Sequence, residues 1–491
     1  MKTTLLIRAD ADSQIGTGHV MRMIALGQAW RTRVGRVVFV TDSPDALAER
    51  LMREKFETIR VDRTKCTAEK LLEISERFQA VWVVFDGYSF SVADTRPVRA
   101  AGSRVLLLDD HYHQPAYEAD LLLNQSTSVF DSAYGLPPGC RILSEPKYAL
   151  LREEFLRYPQ VPRTEFQNTL RVLISMGGAD PDNYTLLILK HLARCVLPDI
   201  RLLVLLGAAN AHLDEVSTFC GTLPYPVDIR KPIQNMAEFL FTSVDFVISA
   251  CGSTVFELAY AGLPMSVVQT AENQKFALDT LRRHNAAFLL NTGNLDASCD
   301  GLVNLWRDAS TMRSYSERAV RLVDGQGARR VVQEMRSDLI TFRRAAPEDS
   351  RALFTWRNAP EVRRYARQSG EMTYEAHLRW LAEVLHDPAR ILLIGCAEGS
   401  PIGVIRFDGE ACGARHEISI YLVPEQMNAG WGTPLLMAAV RWCWSQTAAQ
   451  GIKAAVLPEN RASRSMFERA GFVPAGGDAY LLTREGNTHE S

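Results

Sequence analysis

No long apolar run interrupts this sequence. The most apolar stretch near its start, Leu5-Leu6-Ile7, is three residues long before Arg8 brings charge, too short for the core of a signal peptide. Nothing later in the chain approaches the length that spans a bilayer. Paired cysteines are missing too: the nine present are scattered singly, with no Cys-x-x-Cys. That excludes a disulfide framework and a zinc ribbon, and reads as small apolar residues in a reducing cytoplasm. Excess charge of one sign is also missing. The formal net charge is -2 and no basic stripe is present, so nucleic acid and anionic lipid surfaces are not expected partners. There is no solenoid-period repeat and no low-complexity tract.

What is present is ordinary globular composition, 47% hydrophobic and 23% charged over 491 residues, which suits two to four domains. Apolar runs at residues 5–10, 36–40, 81–86 and 105–109 alternate with helix-like stretches. Continuous apolar runs suit strands buried on both faces of a parallel sheet. A proline-bearing polar stretch at residues 159–163 reads as a hinge. A second series follows, with strands at 170–175, 201–206 and 245–249. A third unit opens near residue 339, with a strand pair turning at Glu398-Gly399-Ser400-Pro401. The expectation is an α/β chain of three parts: residues 1–158, 164–336 and 339–486, the first two being lobes around a nucleotide cleft.

Three loops in the first two parts attract chemistry. Gly16-Thr17-Gly18-His19 lies between the first strand and first helix. Glycines admit a ligand close to the backbone, and His19 is placed to act as a general base. A helix-capping His after a tight turn is the equal alternative. Ser249-Ala250-Cys251-Gly252-Ser253-Thr254 runs strand, small-residue loop, helix, so its amides can hold a diphosphate and Glu257, one turn in, can take ribose hydroxyls. An ordinary helix start with a solvated Glu reads the same way. Thr270-Ala271-Glu272-Asn273-Gln274 follows another strand; its amides can orient a sugar, or Asn273 can simply cap a helix.

Taken with Arg8-Ala9-Asp10, residues 15–22, Phe85-Asp86-Gly87-Tyr88, Leu108-Asp109-Asp110, Leu123-Asn124-Gln125, residues 147–152, residues 175–180 and residues 324–329, these loops resemble the UDP-2,4-diacetamido-2,4,6-trideoxy-altropyranose hydrolases of pseudaminic acid biosynthesis. The resemblance covers essentially all of residues 1–335, and Glu145 departs from it where a glycine is expected. It implies a GT-B fold of two Rossmann-like lobes. His19 would activate water to displace UDP with inversion. Gly252, Ser253 and Thr254 would hold the diphosphate and Glu257 the ribose. Tyr88 and Asn273 would position sugar or water, and Gly18, Arg22 and Asp86 would line the substrate side. Asp10 and Asp86 are both candidates to orient His19. No metal cluster stands out, and none is expected where amide dipoles neutralise the diphosphate.

The third part carries another signature. Asn460-Arg461-Ala462-Ser463-Arg464-Ser465-Met466-Phe467-Glu468-Arg469-Ala470-Gly471-Phe472 resembles the closing motif of GNAT acetyltransferases, where Asn460 and Ser463 would lie beside the arm of acetyl-CoA. As plain text it is a capped amphipathic helix with a glycine stop. Gly430 and Gly432 match the family's pyrophosphate loop, but Met427 stands where Arg or Gln is usual, with Gln426 one place early. Val423 would end the strand that admits acetyl-CoA. Glu417 is the candidate base, His416 the second choice, and surface positions on an antiparallel strand are the alternative for both. Phe467 replaces the tyrosine that often protonates the leaving thiolate; Tyr480, Ser463 or water could substitute. Trp356-Arg357-Asn358 resembles the acetyltransferase of the same pathway, which acetylates the 4-amino group of a UDP-linked sugar. There Trp356 would stack on a base and Arg357 meet a phosphate, or the pair is a core Trp beside a surface Arg. The expected partners are therefore a UDP-amino sugar and acetyl-CoA. A GT-B glycosyltransferase, a legionaminic-branch hydrolysing epimerase, and a protein acetyltransferase or CoA-binding regulatory module are the rival readings.

Overall fold

The computed structural model describes residues 3–12, 16–127, 135–207, 210–230, 233–366, 368–410 and 414–484; Ile15 of the first motif lies outside them. The chain divides into two compact units, Met1–Val332 and Gln333–Ser491.

The first unit holds two parallel sheets. The first is built from β1 (Thr3–Ala9), β2 (Gly35–Thr41), β3 (Glu57–Arg60), β4 (Ala80–Asp86), β5 (Arg104–Leu108), β6 (Leu121–Asn124) and β7 (Arg141–Ser144). Their order is β3-β2-β1-β4-β5-β6-β7, and every pairing is parallel. The second comprises β8 (Leu170–Ser175), β9 (Ile200–Leu205), β10 (Val227–Arg230), β11 (Phe246–Ala250), β12 (Met265–Val268) and β13 (Phe288–Leu289), in the order β10-β9-β8-β11-β12-β13. The inner strands read as apolar runs because both sheet faces are covered, whereas the edge strands β3 and β10 are polar and partly exposed. In β8, Val172 and Ile174 enter one core while Leu173 enters the core on the opposite face.

Strand order reverses between β1 and β4 in the first sheet and between β8 and β11 in the second. Loops at the carboxyl ends of strands flanking such a reversal part to form a crevice. The Gly16–His19 loop follows β1, Asp86 ends β4, and the Gly252–Thr254 loop follows β11. The sheet topology therefore sets all three at the carboxyl ends of strands that flank a reversal. This is the GT-B architecture.

The 159–163 stretch lies in irregular chain between helix Glu153–Leu156 and β8. It is packed against the second lobe: Gly262, at φ +66°, has no room for a Cβ, which would lie 2.2 Å from the Val161 carbonyl oxygen. The helix Gly327–Ser337, expected within the second lobe, begins against the first. A Cβ on Gly327 would sit 2.1 Å from the Ala149 carbonyl oxygen, and Arg330 Nη1 donates to the Lys147 carbonyl at 2.7 Å.

The second unit is one sheet of β14 (Ile340–Arg344), β15 (Arg390–Ala397), β16 (Ser400–Gly409), β17 (Arg415–Leu422), β18 (Gly451–Ala455), β19 (Val473–Pro474) and β20 (Ala479–Thr483). The order is β14-β15-β16-β17-β18-β20-β19. The expected turn is a two-residue hairpin loop, with Glu398 at φ +49° and Gly399 at +76°, the signs that suit strand twist. All pairings are antiparallel except β17 with β18. Those two pair only over residues 415–417 and 451–453, after which they part. Among the described residues, no helix is long and apolar enough to cross a membrane.

Candidate active sites

In the first unit a polar chain runs through the crevice. His19 Nδ1 lies 2.7 Å from Asp86 Oδ1. Arg22, one turn further along the helix Gly18–Arg33, grips the same carboxylate twice, Nε to Oδ2 at 2.7 Å and Nη2 to Oδ1 at 2.6 Å. Its Nη1 donates to Asp110 Oδ1 at 2.9 Å. Tyr88 donates its hydroxyl hydrogen to Asp110 Oδ2 at 2.8 Å and accepts from Asn273 Nδ2 at 2.7 Å. The link from Tyr88 to Asn273 joins the two lobes.

These groups are nearly sealed: His19 and Arg22 are each 6% exposed and Asp86 0%. Burial alone would raise the Asp86 carboxyl. The Arg22 guanidinium, and then His19, outweigh it and pull the pKa down to about 2. Arg22 is likewise held charged against its own burial by Asp110 and Asp86. An ionised Asp86 is an acceptor for an Nδ1–H of His19, and in that tautomer Nε2 carries the ring lone pair. Arg22 Nη2 sits 3.2 Å from the same Nδ1, and both nitrogens lie against Asp86 Oδ1. Burial, then the neighbouring Asp110 charge, raises the Tyr88 hydroxyl, so Tyr88 acts here as a neutral hydrogen-bonding group.

The Gly252–Thr254 loop faces this chain. A Cβ on Gly18 would lie 3.4 Å from Ser253 Oγ, so the His19 loop and the Gly252–Thr254 loop meet across the crevice. A Cβ on Gly252 would meet open space. Glu257, in the helix Thr254–Tyr260, receives Arg152 Nε at 3.1 Å and Nη2 at 2.8 Å on Oε1. Burial raises its carboxyl and Arg152 opposes the shift. One oxygen is thus engaged by Arg152, and among the described residues Oε2 accepts no hydrogen bond.

One candidate changes and one alternative falls away. Asp10 does not orient His19: its Oδ1 receives Arg8 and, at 2.7 Å, the Asp42 amide, so it braces the ends of β1 and β2. Asn273 is not a helix cap; Gln274 Oε1 takes the Thr270 amide while Asn273 reaches the other lobe. Its Oδ1 is buried with no partner among the described residues, and so is available to a ligand. Asp110 and Arg152 carry the network, although both lay inside the matching motifs without a role assigned.

A group with metal-binding chemistry also emerges. Asp109, His111 and His113 place one ligand atom each within 4.8 Å of one another. As folded, it is a hydrogen-bonded brace for the loop after β5. Asp109 accepts from the His111 amide at 2.9 Å, pairs with His113 Nδ1 at 3.0 Å and receives the Tyr117 hydroxyl.

In the second unit, Glu417 lies where β17 takes leave of β18. Alternation on β17 puts Glu417 and Tyr421 on one face and His416 on the other. His416 packs edge-on against Phe407, and burial lowers its pKa. Tyr421 joins a small core with Trp356 and Trp380. Arg357 donates to the Gln368 carbonyl at 2.8 Å. Burial lowers its pKa, and Arg363 and Arg406 lie close enough to add to that while Tyr421 opposes it. Val423 is buried, with its amide on the Ile402 carbonyl and its own carbonyl on the Gln426 amide, so it anchors the loop that follows. Gly430, at φ +74°, and Gly432 open the helix Gly432–Gln446. Asn460 Oδ1 caps the helix Arg461–Arg469 through the Ser463 amide at 3.1 Å. Phe467 is core, and the Tyr480 hydroxyl is held between Arg464 and Glu468, both at 3.1 Å.

The first unit is thus a pair of GT-B lobes, and residues 340–473 of the second match the family model of the acetyltransferase (GNAT) domain. Among individual proteins, the chain is 23% identical over 396 residues to an uncharacterized protein of Methanocaldococcus jannaschii, covering 77% of each. It is 25% identical over 254 residues to the UDP-2,4-diacetamido-2,4,6-trideoxy-beta-L-altropyranose hydrolase of Campylobacter jejuni, covering 50% of this chain and 84% of the relative. In solved structures, MurG of Acinetobacter baumannii aligns with 67% of this chain and 98% of its own length, at 15% identity and a TM-score of 0.48.

Proposed function

We propose that the chain is a bifunctional sugar-nucleotide enzyme. The GT-B lobes hydrolyse UDP-2,4-diacetamido-2,4,6-trideoxy-β-L-altropyranose to UDP and the free sugar. The GNAT domain makes that substrate by moving an acetyl group from acetyl-CoA to the 4-amino group of its precursor. The observation that carries the hydrolase reading is the buried His19–Asp86 pair, opposite a small-residue helix start and beside the Tyr88–Asn273 bridge. The sequence likeness to the Campylobacter hydrolase supports the choice of sugar.

In this reading His19 Nε2 removes a proton from water as the water oxygen attacks the anomeric carbon. The bond from that carbon to the diphosphate oxygen breaks with inversion. The amides at the start of the helix Thr254–Tyr260 take up the leaving charge, and Glu257 Oε2 fixes the ribose. The Asn273 carbonyl oxygen and the Tyr88 hydroxyl hold the sugar. In the second unit, the gap between β17 and β18 receives the thioester. Glu417 takes the ammonium proton so that the neutral amine attacks the thioester carbonyl and CoA leaves as the thiol. Arg357, with Arg363 and Arg406 nearby, offers positive charge to a nucleotide diphosphate, a grouping that favours an anionic acceptor over a protein tail.

The test is to incubate the full chain with labelled acetyl-CoA and the UDP-4-amino sugar in ¹⁸O-water. Transfer of label to the sugar, followed by UDP release without an acceptor and with ¹⁸O on an inverted anomeric carbon, is expected. UDP release only when an acceptor sugar is added would make the lobes a glycosyltransferase. Loss of the C2 configuration would make them a hydrolysing epimerase.

A further inference from the structure

The loop matching the GNAT pyrophosphate site lacks the usual side chain at its first position, where Met427 stands. The structure brings a guanidinium to the loop from elsewhere. Arg336, next to last in the helix Gly327–Ser337, lies outside the family-matched segment 340–473 but within the second unit. It is 3% exposed. Its Nη1 donates to the Gly430 carbonyl at 3.0 Å and its Nη2 to the Ala429 carbonyl at 3.1 Å. The guanidinium carbon sits 3.9 Å from the centre of the Trp431 ring.

The consequence follows from peptide geometry. A trans peptide unit points its C=O and the next residue's N–H in opposite directions. Holding the carbonyls of Ala429 and Gly430 turns the amides of Gly430 and Trp431 away from Arg336. Among the described residues, no acceptor takes either of those two amides. The loop is therefore set with two outward N–H groups beside the start of the helix Gly432–Gln446, the arrangement that binds phosphate. Gly430 fits the same design: its φ of +74° suits glycine, and a Cβ there would lie 3.0 Å from Arg336 Nη1.

We propose that Arg336 is a positioning residue for acetyl-CoA: it fixes the pyrophosphate loop from behind, in place of the side chain that Met427 does not supply. The proposal rests on the reading of this loop as the pyrophosphate site. It implies that the acetyltransferase does not begin where the family match begins, because a residue before position 340 completes its cofactor loop.

The test is isothermal titration of the full chain and of its R336A and R336K variants with CoA, with thermal melting as a check on folding. R336A is expected to weaken CoA binding about tenfold or more, as two charge-assisted bonds and a cation–π contact are lost. R336K, whose ammonium cannot hold both carbonyls in the planar fork, is expected to fall between. Acetyl transfer separates positioning from general damage. With acetyl-CoA the variants raise KM and leave kcat near wild type. With S-acetylpantetheine, which has no pyrophosphate, wild type and variants match. A folded R336A that binds CoA as wild type does, or one that loses both donors equally, overturns the proposal. If R336A does not fold, R336K decides by the same comparison. If the wild-type chain takes up no CoA, the pyrophosphate reading falls and the proposal with it.

Discussion

Replacing Asp86 by Asn tests the catalytic pair through a change of three atoms. Asp86 accepts three N–H bonds on two oxygens: His19 and Arg22 Nη2 on Oδ1, and Arg22 Nε on Oδ2. An amide has one acceptor oxygen, so either orientation sets its NH₂ against a donor. If the NH₂ takes the Oδ2 place it faces Arg22 Nε. If it takes the Oδ1 place it donates to His19 Nδ1 and forces the ring proton onto Nε2, which abolishes the base. A carboxylate-to-amide change behind a catalytic His can cost up to about 10⁴ in kcat; we expect a fall of about 10²- to 10⁴-fold in UDP release. The stability cost follows from linkage. The folded carboxyl is depressed from 3.8 to about 2, which corresponds to about 2 kcal/mol. A depressed carboxyl stabilises the fold above its unfolded pKa, and that contribution is lost as pH falls from about 4 towards 2. D86N should therefore melt lower than wild type at pH 7, and the gap should close as pH falls through that window. Turnover within twofold of wild type in a folded D86N sample would refute the tautomer argument.

Other residues give separable effects. Tyr88→Phe removes one donor and one acceptor between the lobes, and hydrolysis should slow about tenfold or more, at roughly 0.5–1.5 kcal/mol for each bond; steady-state UDP release measures it. Arg357→Ala should raise KM for the UDP-amino sugar in acetyl transfer about tenfold while KM for acetyl-CoA stays put, as initial rates with each substrate varied will show. Glu417→Gln should lower kcat for acetylation about 10²-fold at neutral pH and recover towards high pH, where the amine is already neutral; a pH–rate profile decides.

Several features were legible because short-range physics dictates them. The inner strands of both parallel sheets are apolar runs, such as residues 81–86, because the sheets are covered on both faces; the polar edge strands β3 and β10 gave no such signal. The loops after β1 and β11 could be placed at the carboxyl ends of strands because small residues between an apolar run and a helix mark a strand–loop–helix passage. Contacts at long sequence separation were harder. Asp110 meets Arg22 across 88 positions, and no periodicity encodes that. A cap was the local alternative for Asn273 because a cap is the nearest use for its amide; only the apposed lobe offers Tyr88. Asp10 was placed beside His19 by its position at a strand end, but Arg8, on the same strand, claims it first. Asp109, His111 and His113 converge around a turn in which Tyr112 takes a left-handed φ of +57°, which is uncommon for a bulky side chain and hidden in the letters. Arg336 escaped notice because it precedes the segment whose motif it completes.

The central claim is that the free nitrogen of His19 deprotonates the attacking water. The most direct measurement is single-turnover UDP release by a folded His19→Asn chain, with UDP affinity measured alongside. The account predicts a fall of about 10²- to 10⁴-fold in the chemical step with UDP binding unchanged. A single-turnover rate equal to that of wild type would contradict it.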